Sequence, residues 1–131
     1  MALYYQKERD KDFFEICESI RRENYPDYVS VKNIAKLAIQ KEAQSFYLNT
    51  DIYARIINKV RCGCLSKIRN KVKRKLYLEI WKRYIQVKRQ NPKYNSMDCA
   101  RIISEQSAPR FYIDEKHAVN LYYKLLKDNP K

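Results

Sequence analysis

The chain has a single glycine, Gly63, and no Asn-Gly or Asp-Gly pair. Sheet proteins use such dipeptides to reverse direction between strands. Only four prolines accompany them, among many Lys, Arg, Glu, Ile, Leu and Tyr. An all-helical fold is expected. No run of about 18 apolar residues occurs, so no transmembrane helix is expected. The first residues, MALYYQKERDKDFFE, are charged and lack the apolar centre of an export signal. The expected compartment is therefore a reducing cytoplasm, where Cys17, Cys62, Cys64 and Cys99 stay free thiols. At 131 residues the chain is long enough to fold as one compact domain, or two small ones sharing a core, without metal or disulfides.

Other absences bear on chemistry. Phosphate cradles need glycines that are missing here. Cys62 and Cys64 stand one residue apart, whereas structural zinc sites use Cys-x2-4-Cys pairs with a second pair or histidines. The lone histidine, His117, has no Cys or Ser beside it to activate. Glu15 and Glu79 lie 64 residues apart and read as structural. Twelve tyrosines raise the possibility of a tyrosine recombinase, yet its basic and histidine partners have no motif here. No enzyme, no metal site and no cofactor is expected.

What the chain has in excess is positive charge, +13 overall. Residues 1–52 carry 8 Lys/Arg against 9 Asp/Glu, and residues 96–131 carry 6 against 5. The middle segment, 53–95, carries 14 against 1. A block of one sign in the middle of a balanced chain points to a polyanionic partner.

A second feature is an internal echo. Residues 34–48, IAKLAIQKEAQSFYL, face 99–113, CARIISEQSAPRFYI, at an offset of 65. Tyr-Pro-Asp-Tyr-Val-Ser at 25–30 faces Asn-Pro-Lys-Tyr-Asn-Ser at 91–96, shifted by 66, and Phe13-Phe14-Glu15-Ile16 faces Tyr77-Leu78-Glu79-Ile80, shifted by 64. We read a tandem duplication of a three-helix unit, 12–61 and 76–127, with 1–11 an N-terminal extension and 62–75 a basic linker.

Within each unit a first helix carries one apolar stripe, such as Phe13, Ile16, Cys17 and Ile20. Ser30 and Ser96 are the expected N-caps of the second helices, and Asn49 or Thr50 and Asp114 those of the third. Second helices should bury Ile34, Leu37 and Ala38, or Ala100, Ile102 and Ile103; Cys17 and Cys99 align with core positions. The tight turn between second and third helices outlines a tri-helical helix-turn-helix. Residues 66–90 contain neither Gly nor Pro and predict one long helix of roughly 37 Å joining the units.

The helix–turn–helix segment around SAPRFYID resembles one seen in small uncharacterised bacterial proteins, some from mobile-element neighbourhoods. The likeness covers 96–126 and, less closely, 30–60, where AQSFY departs at the Pro and Arg positions. It implies a helical, DNA-associated protein without an assigned activity.

The expected function is binding of double-stranded DNA by a monomer or weak dimer. Lys67, Lys71, Arg74, Lys75, Lys82 and Arg110 would hold phosphates. Arg55, Asn58 and Lys59 from one third helix, and Lys116, Asn120 and Lys124 from the other, would read bases. RNA, or an acidic protein partner gripped by the basic helix, is the alternative; a membrane surface is not expected, because the helix needs its apolar face for its own unit.

Overall fold

The computed structural model describes residues 3–129. It contains six α-helices: α1 (Leu3–Glu23), α2 (Val31–Ala38), α3 (Thr50–Arg61), α4 (Lys71–Gln90), α5 (Ser96–Ser104) and α6 (Glu115–Asp128). A short 3-10 turn, Cys64–Lys67, precedes α4. Among the described residues there is no strand, only one isolated antiparallel pair, Ala43 with Ala108. The all-α class is as expected.

Local chemistry accounts for the helix starts. Ser30 accepts a hydrogen bond from the Asn33 N–H, and Asp114 one from the His117 N–H, so each shields an orphan donor of its helix. Asn49 caps α3 by backbone geometry alone. The cap of α5 is Asn95, one residue before the expected Ser96. Asn95 and Asp98 exchange side-chain-to-backbone bonds in a capping box. Gly63, at φ +81°, follows Cys62, the C-cap of α3, in the left-handed conformation that a Cβ would strain.

The expected 25-residue helix is broken. Asn70 caps α4 by accepting from the Lys73 N–H, and Ile68 before it is extended at ψ 114°. A short amide that satisfies the orphan N–H groups starts a helix where no Gly or Pro enforces a stop. Lys67 thus lies on the 3-10 turn, outside α4. Residues 3–11 belong to α1 and form no separate extension.

The helices gather into two compact units that cut across the sequence units 12–61 and 76–127. One is Leu48–Gln106; the other is Leu3–Tyr47 with Ser107–Lys131. In the first, α3 packs on α4 and α5. It buries Tyr53, Ile56 and Ile57 together with Tyr77, Ile80, Tyr84 and Val87 of α4 and Cys99, Ala100 and Ile103 of α5. In the second, α6 packs on α1 and α2. Ala118, Leu121 and Tyr122 are buried there with Phe13, Cys17, Ile20, Ile34, Ala35 and Ala38. Leu37, expected in the core, is 47% exposed, because α2 contacts its neighbours through the 34/35/38 face.

The second unit also holds a knot of reciprocal contacts. The Ala43 N–H donates to the Ala108 carbonyl and the Ala108 N–H to the Ala43 carbonyl, both at 2.9 Å. Phe46 stacks on Tyr112 and Tyr47 on Phe111, with centroids 5.9 and 6.3 Å apart. Tyr47 adopts φ 60°, which costs a non-glycine residue about 1 kcal/mol. Its hydroxyl donates to the buried Asp12 carboxylate, which also accepts the Gln44 N–H at 3.2 Å. Nearby, the Tyr122 hydroxyl donates to Glu18 at 2.8 Å, and Arg21 closes on the same carboxylate at 2.6 Å.

Two outcomes follow. Ala108→Leu, overfilling a site 1% exposed, should destabilise by about 1–3 kcal/mol in urea titration. Burial, then the bonds to Asp12 and Glu18, push the phenols of Tyr47 and Tyr122 upward from their ordinary value. The native state thus keeps protons that the unfolded chain sheds above about pH 10, so stability falls as pH rises from there. The Tyr47→Phe/Tyr122→Phe protein should show a shallower loss over the same range.

Candidate nucleic-acid interface

Residues 48–106 hold 15 Lys/Arg against 4 Asp/Glu, so the basic excess of the chain lies almost wholly within one unit. Helix α4 buries Tyr77, Ile80, Tyr84 and Val87. At about 100° per residue, Lys71, Arg74, Lys75, Lys82 and Arg89 fall on the opposite face. All five are exposed, as are Lys67 and Arg69 just before the helix. From Lys71 to Arg89 this face runs about 27 Å.

Its electrostatics work against the helix. The first turn of α4 contains no acidic residue, yet the N-terminal end of a helix carries partial positive charge. Lys71, Lys73 and Arg74 add three cations there, and Lys71 and Lys75 repel at i, i+4. Among the described residues none of Lys67, Lys71, Arg74, Lys75 and Lys82 forms an ion pair. Arg74 donates to the Ile68 carbonyl, and Lys73 lies 5.7 Å from the Tyr77 ring centroid. An anion along this face would relieve all of these repulsions together.

Arg110 differs from that row. It sits in the other unit, half-buried, with Nε donating to the Phe111 carbonyl at 2.9 Å and Nη2 to that of Ile113 at 3.4 Å. Its guanidinium lies 5.5 Å from the Tyr112 ring. These contacts give Arg110 a structural part in the turn before α6, in place of the phosphate contact expected of it.

The six residues expected to read bases fall into two sets in two units. Arg55, Asn58 and Lys59 are exposed on α3, and Lys116, Asn120 and Lys124 on α6. Asn58 is less free than its exposure suggests: its Oδ1 accepts from Arg61 at 3.2 Å and from Ser96 at 3.4 Å. Lys116 and Asn120 line a groove of about 350 Å³ between α2 and α6, with Lys32, Lys36, Glu115 and Val119. Lys36 approaches Glu115 at 3.8 Å. Lys32 and Lys36 escaped the sequence reading because they stand in the charge-balanced first third; their only signal is the i, i+4 spacing.

The thiols divide by environment. Cys17 and Cys99 are fully buried; burial and the neighbouring Glu18 push the Cys17 thiol up to about 12, and burial raises Cys99. Both are unreactive at neutral pH. Cys62 is exposed and Cys64 half-buried, both free. Among the described residues no group of three His, Cys, Asp or Glu side chains is placed to hold a metal ion. No helix among them is long and apolar enough to cross a membrane.

No family model, curated protein or solved structure matches this chain.

The adverse end of α4 yields a direct check. Lys71→Glu places a carboxylate in its first turn and should raise stability by about 0.5–1 kcal/mol in urea titration at low salt, with the gain shrinking as salt is added.

Proposed function

We propose that this protein is a non-enzymatic nucleic-acid-binding protein that grips duplex DNA through the unit Leu48–Gln106. One observation carries the reading: five exposed cations of a single segment, Lys67, Lys71, Arg74, Lys75 and Lys82, face solvent without a carboxylate partner among the described residues. Lys71, Arg74 and Lys75 crowd the positive end of α4 and lower its stability, and a polyphosphate backbone along the row is the ligand that returns that energy. Arg55 and Lys59 of α3, in the same unit, are the candidate base contacts; Lys116, Asn120 and Lys124 form a second, weaker set in the other unit.

The same proposal includes a tandem duplication, supported by three lines. The caps Ser30 and Asn95, and Asn49 and Asp114, each stand 65 residues apart. Buried residues pair in the same way: Ala35 with Ala100, Phe46 with Phe111, Ile56 with Leu121 and Ile57 with Tyr122. For the first helices the buried triplets Phe13/Cys17/Ile20 and Ile80/Tyr84/Val87 pair at 67, as do the helix ends Glu23 and Gln90. This register differs from the offset of 64 read from the echo of Phe13–Ile16 in Tyr77–Ile80, and it leaves the second copy with a connector two residues shorter. On this reading, the third helix of each copy completes the bundle of the other. Ala43–Ala108 is then a residue meeting its own counterpart, and Phe46–Tyr112 and Tyr47–Phe111 are the same contact made twice with the copies exchanged.

Binding should be measured by fluorescence anisotropy with short duplex DNA and duplex RNA of mixed sequence over a range of salt. Five phosphate contacts predict a log–log salt slope of about −4 to −5. Lys71→Ala/Arg74→Ala/Lys75→Ala should weaken binding on every sequence alike and reduce the slope by about 2–3. Unchanged DNA affinity in that variant, together with equal binding to polyglutamate, would replace this reading by an acidic protein partner. Tighter binding to the RNA duplex would move the target to RNA.

A further inference from the structure

We propose that Arg61, with Asn58, Ser96 and Tyr84, forms a phosphate seat on the unit Leu48–Gln106. The inference rests on the nucleic-acid reading above and gives that reading a defined contact. Arg61 is the last residue of α3 and is exposed. Its Nη2 donates to the Tyr84 hydroxyl at 2.6 Å and to the Ser96 hydroxyl at 3.2 Å, and its Nη1 donates to Asn58 Oδ1 at 3.2 Å. The guanidinium also lies 5.4 Å from the Tyr84 ring centroid.

Every one of these partners is neutral. Arginines are normally anchored by carboxylates that cancel their charge; here three uncharged oxygens from α3, α4 and α5 hold the group, and its full positive charge faces solvent. The nearest carboxylate on α5, Asp98, is occupied by the Asn95 N–H and by Arg101 at 3.4 Å.

The network also settles which groups remain for a ligand. Guanidinium nitrogens only donate, so the Asn58 atom facing Nη1 is its oxygen and the amide NH2 points away from Arg61. Ser96 donates its hydroxyl hydrogen to the same Oδ1 at 3.4 Å, so its lone pairs serve Arg61. What is left is mostly donors: the Arg61 Nε–H, one Nη1 hydrogen, the Asn58 NH2 and the Tyr84 O–H. A base edge of adenine offers a donor beside an acceptor and expects a bidentate amide with both. Asn58 has already used its acceptor. A phosphate oxyanion offers acceptors only, and guanidinium–phosphate bonds are among the stronger charge-assisted kind. Asn58 therefore leaves the set of base readers and joins the phosphate contacts, with Arg61 as their anchor.

The test uses the full chain, labelled with nitrogen-15. Adding short duplex DNA should shift the Arg61 Nε–H resonance. Arg61→Gln should weaken duplex binding by about 5–10-fold and reduce the salt slope by about 1. Arg61→Lys, which keeps the charge but loses the bonds to Tyr84, Ser96 and Asn58 that position it, should fall between. If Arg61→Gln and the Arg61 resonance are both silent while the α4 triple variant weakens binding, the seat is wrong and the nucleic-acid reading stands. If the triple variant is silent as well, both fall. A shift of the Arg61 resonance by inorganic phosphate, in a protein that does not bind duplex, would support the seat and assign it to a free phosphate ligand.

Discussion

The reciprocal pairing of Ala43 with Ala108 is the contact on which this fold depends. Two connectors, one leaving α2 and one leaving α5, meet there with both alanines almost fully buried. Both methyl groups are enclosed, at 1% exposure each, so a larger side chain at either position would have to displace its neighbours. Around that point the paired rings of Phe46, Tyr112, Tyr47 and Phe111 fill the space. Asp12 accepts the Tyr47 hydroxyl and the Gln44 N–H, and so ties down both the side chain of the left-handed Tyr47 and the backbone three residues before it. Buried hydrogen bonds to a charged acceptor are worth about 1.5–3 kcal/mol each, which exceeds the backbone strain at Tyr47.

The division of charge follows a different logic from the division of packing. The unit containing α1, α2 and α6 satisfies its buried carboxylates internally: Asp12 by Gln44 and Tyr47, Glu18 by Tyr122 and Arg21. The unit of α3, α4 and α5 does the opposite. Its ion pairs among the described residues are Arg83 with Glu79 and Arg101 with Asp98. Most of its cations face solvent. Surface ion pairs contribute little to stability, so leaving these cations unpaired costs little beyond the adverse helix end. That small cost is compatible with retention for binding.

Much of this was legible from residue patterns, and the misses have physical causes. Caps at Ser30 and Asp114 could be placed because a short polar side chain beside an apolar run has few other uses, whereas the choice between Asn49 and Thr50 stayed open, and Asn49 caps without a side-chain bond. Helical spacing recovered part of the core, such as Phe13, Cys17, Ile20, Ile34, Ala38, Ala100 and Ile103, but not Leu37, which is exposed, or Tyr53, Ile57 and Tyr122, which are buried. Period 3.6 states roughly which face must leave water. It does not state which helix covers that face, so the packing of α3 on α4 and α5, and of α6 on α1 and α2, was invisible. The break before α4 was missed because Asn70 interrupts neither hydrophobic periodicity nor composition. Arg110 looked free because its partners are backbone carbonyls of its own turn. Arg61 was overlooked because its meaning comes from Tyr84 and Ser96, which are 23 and 35 residues away.

Charge spacing separates the two kinds of polyanion that would fit the basic face of α4. Lys71, Arg74, Lys75, Lys82 and Arg89 present one cation per roughly 5–7 Å of helix. An acidic helix with carboxylates at i, i+4 offers one anion per about 6 Å, a one-to-one match that needs an apolar stripe to gain affinity. On this face the only exposed large apolar side chain is Leu78, 45% exposed. Duplex DNA offers one anion per about 1.7 Å, and its affinity comes from released counterions, which requires no apolar contact. A face rich in lysine and poor in exposed hydrophobic surface therefore favours the duplex partner proposed above over an acidic helix. Arg61, whose remaining groups only donate, places the same demand for an acceptor on a separate part of the unit.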